Sequence, residues 1–149
     1  MSSTSGASWP NAPANSLNLE GIEPEVQQAL AEVTANINEG VLLAWPDGEG
    51  GAFVVVDDLD LGERWAPRQG WLGCRILNSY PDSELYPFYI RADARRVDGV
   101  DLSAPFNLGQ SLFGQPATTV SRQPNRPIKG PRSAAVRFIN VVDFVRTFS

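Results

Sequence analysis

The chain has 149 residues, 42% hydrophobic and 19% charged, which suits one globular domain with a sizeable core and excludes a wholly disordered polymer. One cysteine cannot form an internal disulfide, and the lack of histidine removes Cys/His zinc sets, Ser-His-Asp and Cys-His triads and the commonest general base near neutral pH. The net charge of −5 is unevenly spread: residues 1–90 carry 13 acidic and 3 basic side chains, and residues 91–149 carry 9 basic and 4 acidic, so the halves are expected to pair across the fold or the basic half to meet an acidic partner.

Residues 1–18 begin MSSTSGASWPNAPANS, without apolar periodicity, and are expected to form a disordered tail ahead of a single domain at 19–149. The tail lacks the basic and continuous apolar regions of a signal peptide, and no later window approaches the length of a membrane span. With the lone cysteine, this points to a cytoplasmic protein. Pro24 is suited to the first position of a helix, and Val26, Ala29, Leu30, Val33 and Ile37 form one stripe at helical spacing. The segment Asn38-Glu-Gly40 supplies the stop.

Val41–Trp45 and Ala52–Val56 are apolar runs on either side of a Gly-rich turn, the pattern of a hairpin. Asp57, Asp58 and Asp60 follow. They lack the glycine and distal glutamate of a calcium loop, so they are read as a solvated acidic turn, with no metal or cofactor expected. Trp71–Leu77 is a central strand in which Leu72, Cys74 and Ile76 share a face, making Cys74 a buried small hydrophobe.

Two Tyr-Pro steps, Tyr80-Pro81 and Tyr86-Pro87, remove two backbone donors and force a corner before a strand at Pro87–Ala92. From Arg95 to Lys129 periodicity fails, and a long irregular loop of about 35 residues is expected, of the kind that is commonly functional. Its most specific piece runs from Thr118 to Arg126. There Arg122 and Arg126, with Ser121 and Asn125, can hold a carboxylate or phosphate or pin the loop to the acidic half. A terminal helix starts at Pro131, with Ala134, Phe138, Val141, Val145 and Phe148 on one face and Ala135, Ile139 and Val142 widening the stripe.

The segments Gly70-Trp-Leu-Gly-Cys-Arg-Ile-Leu77, Tyr80-Pro-Asp82 and Leu85-Tyr-Pro-Phe-Tyr89, with Ser121-Arg122 and Asn125 before the last helix, resemble the ubiquitin-conjugating-enzyme family, in particular its prokaryotic branch. The resemblance implies an α+β, ubiquitin-conjugating-enzyme-like fold: an N-terminal helix, an antiparallel strand meander, a long irregular loop and a C-terminal helix. It spans about residues 20 to 149.

Active members carry a cysteine after the Tyr-Pro corner and a His-Pro-Asn triplet. This chain has no histidine and no cysteine beyond Cys74, which precedes the corner. The resemblance therefore implies a non-catalytic adaptor that binds a ubiquitin-like protein or its adenylating (activating) enzyme, with no catalytic residues and no cofactor. Arg122, Asn125 and Arg126 are its expected polar contacts and Tyr86 and Phe88 its apolar anchors.

The alternatives are a conjugating enzyme that uses Cys74 as thioester nucleophile, a nucleic-acid binder using the arginines of residues 122–137, and a structural protein. A pI near 4.6 and the lack of aromatics among those arginines weigh against nucleic acid.

Overall fold

The computed structural model describes residues 9, 20–37, 39–80, 85, 87–102, 105–121 and 133–148. Helix α1 (Pro24–Asn36) begins where Pro24 follows the extended Glu23, and buries Val26, Ala29, Leu30 and Val33. Its last turn closes with the Ile37 N–H donating to the Val33 carbonyl (2.9 Å), after which Ile37 is extended. The apolar stripe is the reason this segment is helical in context, since a helix this short depends on packing its apolar face.

Strands β1 (Val41–Pro46) and β2 (Ala52–Asp60) form the expected hairpin, in register Leu43↔Val55 and Trp45↔Phe53. Asp47 organises the turn by accepting the N–H groups of Glu49 (2.7 Å) and Gly51 (2.9 Å) on one carboxylate oxygen. Next come β3 (Trp65–Ala66), β4 (Gln69–Ile76), β5 (Phe88–Arg91) and β6 (Arg95–Arg96), then β7 (Phe106–Leu112) and β8 (Gln115–Val120). Six of these make one antiparallel sheet in the order β1-β2-β4-β5-β8-β7, while β3 and β6 pair separately.

Helix α2 (Ser133–Thr147) packs beside α1 on one face of the large sheet. The main core lies between the helix pair and that face, and includes Val54, Val56, Leu72, Cys74, Ile76, Phe88, Ile90, Phe138 and Val141. The architecture is α+β, as expected. Among the described residues no helix is long and apolar enough to cross a membrane.

Three expectations need correction. The stretch from Arg95 is not an irregular loop, because it contains β6 and the β7–β8 hairpin, whose inner strand pairs with β5 as Ile90↔Thr118 and Phe88↔Val120. Thr118 is therefore a sheet residue. The hairpin turn uses Phe113 (φ 48°) and Gly114 (φ 80°), the two positive φ values that a tight two-residue connection requires.

The acidic trio lies in a strand rather than a turn, and it is solvated only in part, at Asp58 and Asp60. Asp57, Asp58 and Asp60 lie in β2 around a bulge between Val56 and Leu59, and Asp57 is 9% exposed. In α2, Ile139 is 38% exposed and does not join the core, whereas Ala134, Ala135, Phe138, Val141 and Val145 do bury. The proposed start at Pro131 and the tail at residues 1–18, apart from Trp9, lie outside the described residues.

The ion pairs among the described residues mostly stay within one half of the chain. Arg68 binds Asp60, Arg75 binds Asp47 and Glu49, Arg91 binds Asp93, and Arg96 binds Asp98, each within its own half. Arg146 with Glu39 joins the halves.

Candidate functional site

The sheet face opposite the helices is not a polar solvent face. Odd-numbered positions of β1, β2, β4 and β5 bring Leu43, Trp45, Phe53, Val55, Trp71 and Tyr89 to that side. Trp71 and Val55 are fully buried, and Trp45 is 7% exposed. They are covered because the sheet curls: Phe113, at the tip of the β7–β8 hairpin, stacks on Trp45 of the far edge strand (ring centroids 4.9 Å) and approaches Phe53 (4.8 Å).

Gly73 makes the curl possible. Val55 and Tyr89 pair with it on either side, and Leu112 occupies the space a side chain would fill: a Cβ on Gly73 would lie 2.7 Å from Leu112 Cδ2.

Trp9 completes the cluster. Its ring meets Trp71 edge-on at 4.9 Å and Trp45 at 5.8 Å in a tilted arrangement. Such aromatic pairs gain about 0.5–1.5 kcal/mol beyond area burial. The hydrogen bonding is incomplete, however. The indole N–H groups of Trp9, Trp45 and Trp71 are all enclosed, and none has an acceptor among the described residues. Buried indole N–H groups are normally satisfied, so three together mark this face as unusual.

The rim is charged. Arg75 lies over the Phe53 ring at 5.6 Å and donates to Asp47 (3.0 Å) and Glu49 (2.6 Å). Burial acts to raise the Asp47 carboxyl, but the N–H groups of Glu49 and Gly51 and the Arg75 guanidinium outweigh it and hold Asp47 below the ordinary value.

On the helix side, the start of α2 is tied to Tyr80. Tyr80 is buried, and its hydroxyl oxygen accepts the Ala134 N–H (3.2 Å), satisfying one of the free donors of the helix N-terminus. Arg137, 2% exposed, lies over Phe88 at 5.5 Å and donates to the Leu85 carbonyl. Cys74 is wholly enclosed nearby; burial pushes its thiol far above the ordinary value, and the charge of Arg137 offsets only part of this. A thiol so placed stays protonated and out of reach of a substrate.

Of the residues expected to meet a partner, Phe88 is fully buried, edge-on to Phe138 at 5.0 Å, and it joins sheet to helix rather than facing outward. Tyr86, Arg122, Asn125 and Arg126 lie outside the described residues. The aromatic face was missed. The signal available was the continuous apolar runs Val41–Trp45 and Ala52–Val56, because strands apolar in both phases are covered on both faces; in β4 the phase opposite Leu72 and Cys74 holds Trp71 among Gln69, Gly73 and Arg75 and gives no such signal.

No family model, curated protein or solved structure matches the chain. The class that fold and site define is an α+β domain in which, among the described residues, two helices pack on a six-stranded antiparallel sheet whose outer face is aromatic.

Proposed function

We propose that the protein is a non-catalytic binding protein that engages a partner protein through the aromatic outer face of its sheet. The supporting observation is the composition of that face: Trp45, Phe53, Trp71, Tyr89 and Phe113 converge there with Trp9, and Trp and Tyr are the side chains that dominate binding energy in interfaces. Phe53, Tyr89 and Phe113 are only half-buried, so part of the aromatic surface is reachable. The enclosed thiol of Cys74 weighs against thioester chemistry, and the absence of histidine weighs against triad chemistry.

A photo-crosslinking amino acid at position 113, compared with one at position 136 on the helix side, where Val136 is 40% exposed, tests this in cells that make the protein. Adducts with a defined protein from position 113 and not from 136 are expected. The reverse pattern sinks the assignment of the face.

A second reading is the adaptor role beside a ubiquitin-like protein or its adenylating enzyme. It is favoured by one feature: Tyr80, on the connection between the adjacent antiparallel strands β4 and β5, is buried and tied to the C-terminal helix, in keeping with the Tyr-Pro resemblance. In that reading Tyr86, Arg122, Asn125 and Arg126 belong to the contact surface. Recovery of a small β-grasp protein or an adenylating enzyme in the crosslinked adduct supports it, and an adduct with an unrelated protein refutes it.

A further inference from the structure

We infer that the aromatic face is a receptor for a neutral, tryptophan-bearing peptide segment of the partner, and that Trp9 is its resident occupant within the same chain. This rests on the binding reading above and adds the chemistry of the ligand.

Trp9 is far from Trp45 and Trp71 in sequence, yet its ring is held edge-on to Trp71 and tilted against Trp45. The seat is thus shaped for an indole. The segment carrying Trp9 is uncharged, since residues 1–19 contain no Asp, Glu, Lys or Arg. The rim at that end carries one net negative charge, since the single Arg75 is shared by Asp47 and the exposed Glu49, so an acidic peptide is disfavoured there and an uncharged one is not.

Among the described residues, the contacts of Trp9 are apolar. With Trp9 in place, the Trp45 and Trp71 N–H groups are enclosed without acceptors among the described residues, as is that of Trp9 itself. A peptide that stacks an indole in the same seat and turns backbone carbonyls toward those N–H groups makes every contact Trp9 makes and adds the missing hydrogen bonds. Trp9 then acts as a tethered competitor. Ten residues separate it from Glu20, a tether short enough to give an effective concentration in the millimolar range. Access for an external segment is reduced by the fraction of molecules in which Trp9 is seated.

The test uses the full-length chain and a fluorescent synthetic peptide of residues 3–15, read by anisotropy. The peptide is expected to bind the Trp9→Ala protein at least about tenfold more tightly than the wild type, because the tethered competitor is gone. The same peptide with alanine for tryptophan should not bind, and Phe113→Ala in the Trp9→Ala background should abolish binding while cooperative unfolding is retained. Should Trp9→Ala fail to fold, Trp9→Gly and Trp9→Ser replace it, and a large excess of the peptide added to wild type should still saturate.

Absence of saturable binding to folded protein overturns the inference, and so does equal affinity for wild type and variant. If the peptide fails while position 113 still crosslinks a defined protein, the ligand class is wrong and the face assignment stands. If both fail, both fall.

Discussion

Placing a methyl group on Gly73 tests the curled sheet directly. In Gly73→Ala the new Cβ would lie 2.7 Å from Leu112 Cδ2, 2.9 Å from the Val54 carbonyl oxygen and 3.1 Å from a Val55 methyl, so something must move. The backbone oxygen yields least; Leu112 is the part that can leave. Overpacking of this kind costs about 1–3 kcal/mol. Expelling Leu112, now 4% exposed, forfeits up to about 2 kcal/mol of burial. The reduced freedom of the unfolded chain returns only about 0.4–1 kcal/mol.

A net loss of about 2–3 kcal/mol is therefore expected, read as a lower guanidinium midpoint at unchanged slope. Leu112→Ala alone should cost about 2–5 kcal/mol by opening a cavity. That cavity accepts the Gly73→Ala methyl, so the double variant should be more stable than the sum of the singles predicts by about 1 kcal/mol or more. Strict additivity, or a Gly73→Ala loss below about 0.5 kcal/mol, would show that the hairpin does not close over β4 as described.

Three other outcomes follow from contacts already given. Cys74 should resist thiol reagents in the native state and label only as fast as the protein unfolds; rapid native labelling would revive a reactive thiol at that position. Trp65→Phe removes the indole N–H that donates to the Val145 carbonyl at 2.8 Å and should lower stability by about 1 kcal/mol, with no loss if that bond is absent in solution.

Asp47, Asp60, Asp93 and Asp98 all sit below the ordinary carboxylate value of 3.8, Asp98 at about 2 because Arg96 donates to it. Their stabilisation is complete above the unfolded value and disappears as pH falls through the folded values. Unfolding midpoints should therefore drop between about pH 4 and about pH 2, and Asp47→Asn should make that drop shallower; an unchanged acid limb would remove Asp47 from the account.

The helices and the first hairpin were legible because their signals are local. The α1 stripe and the apolar α2 face repeat at helical spacing, and β1 and β2 flank a Gly-rich turn. The β7–β8 hairpin was not legible, for identifiable reasons. As an edge strand, β7 leaves Asn107 through Ser111 exposed, so it has no apolar alternation. Pro116 stands inside β8, and the turn places Phe113, a residue that disfavours positive φ, where Asn or Gly is usual.

The aromatic face depends on the same hairpin. Trp45, Phe53 and Trp71 lie on strands that were identified, but nothing local says that a hairpin tip at Phe113, far along the chain, folds over them, or that Trp9 returns to their side. Arg137 was likewise hidden, a charged residue beside Phe138 whose partners come from the Tyr-Pro corner.

The strand order has a consequence for synthesis. The strands that emerge first, β1, β2, β4 and β5, can pair in sequence, but they leave the Phe88–Arg91 edge bare until β8 arrives and their inner face covered by α1 alone until α2 does. A growing chain halted after β5 would present an open strand edge beside Phe88, whose partner Phe138 is still to come, a combination that recruits other chains. The last third of the sequence therefore acts as a built-in shield for the first two, and slow translation through it would be the step at which nascent protein aggregates.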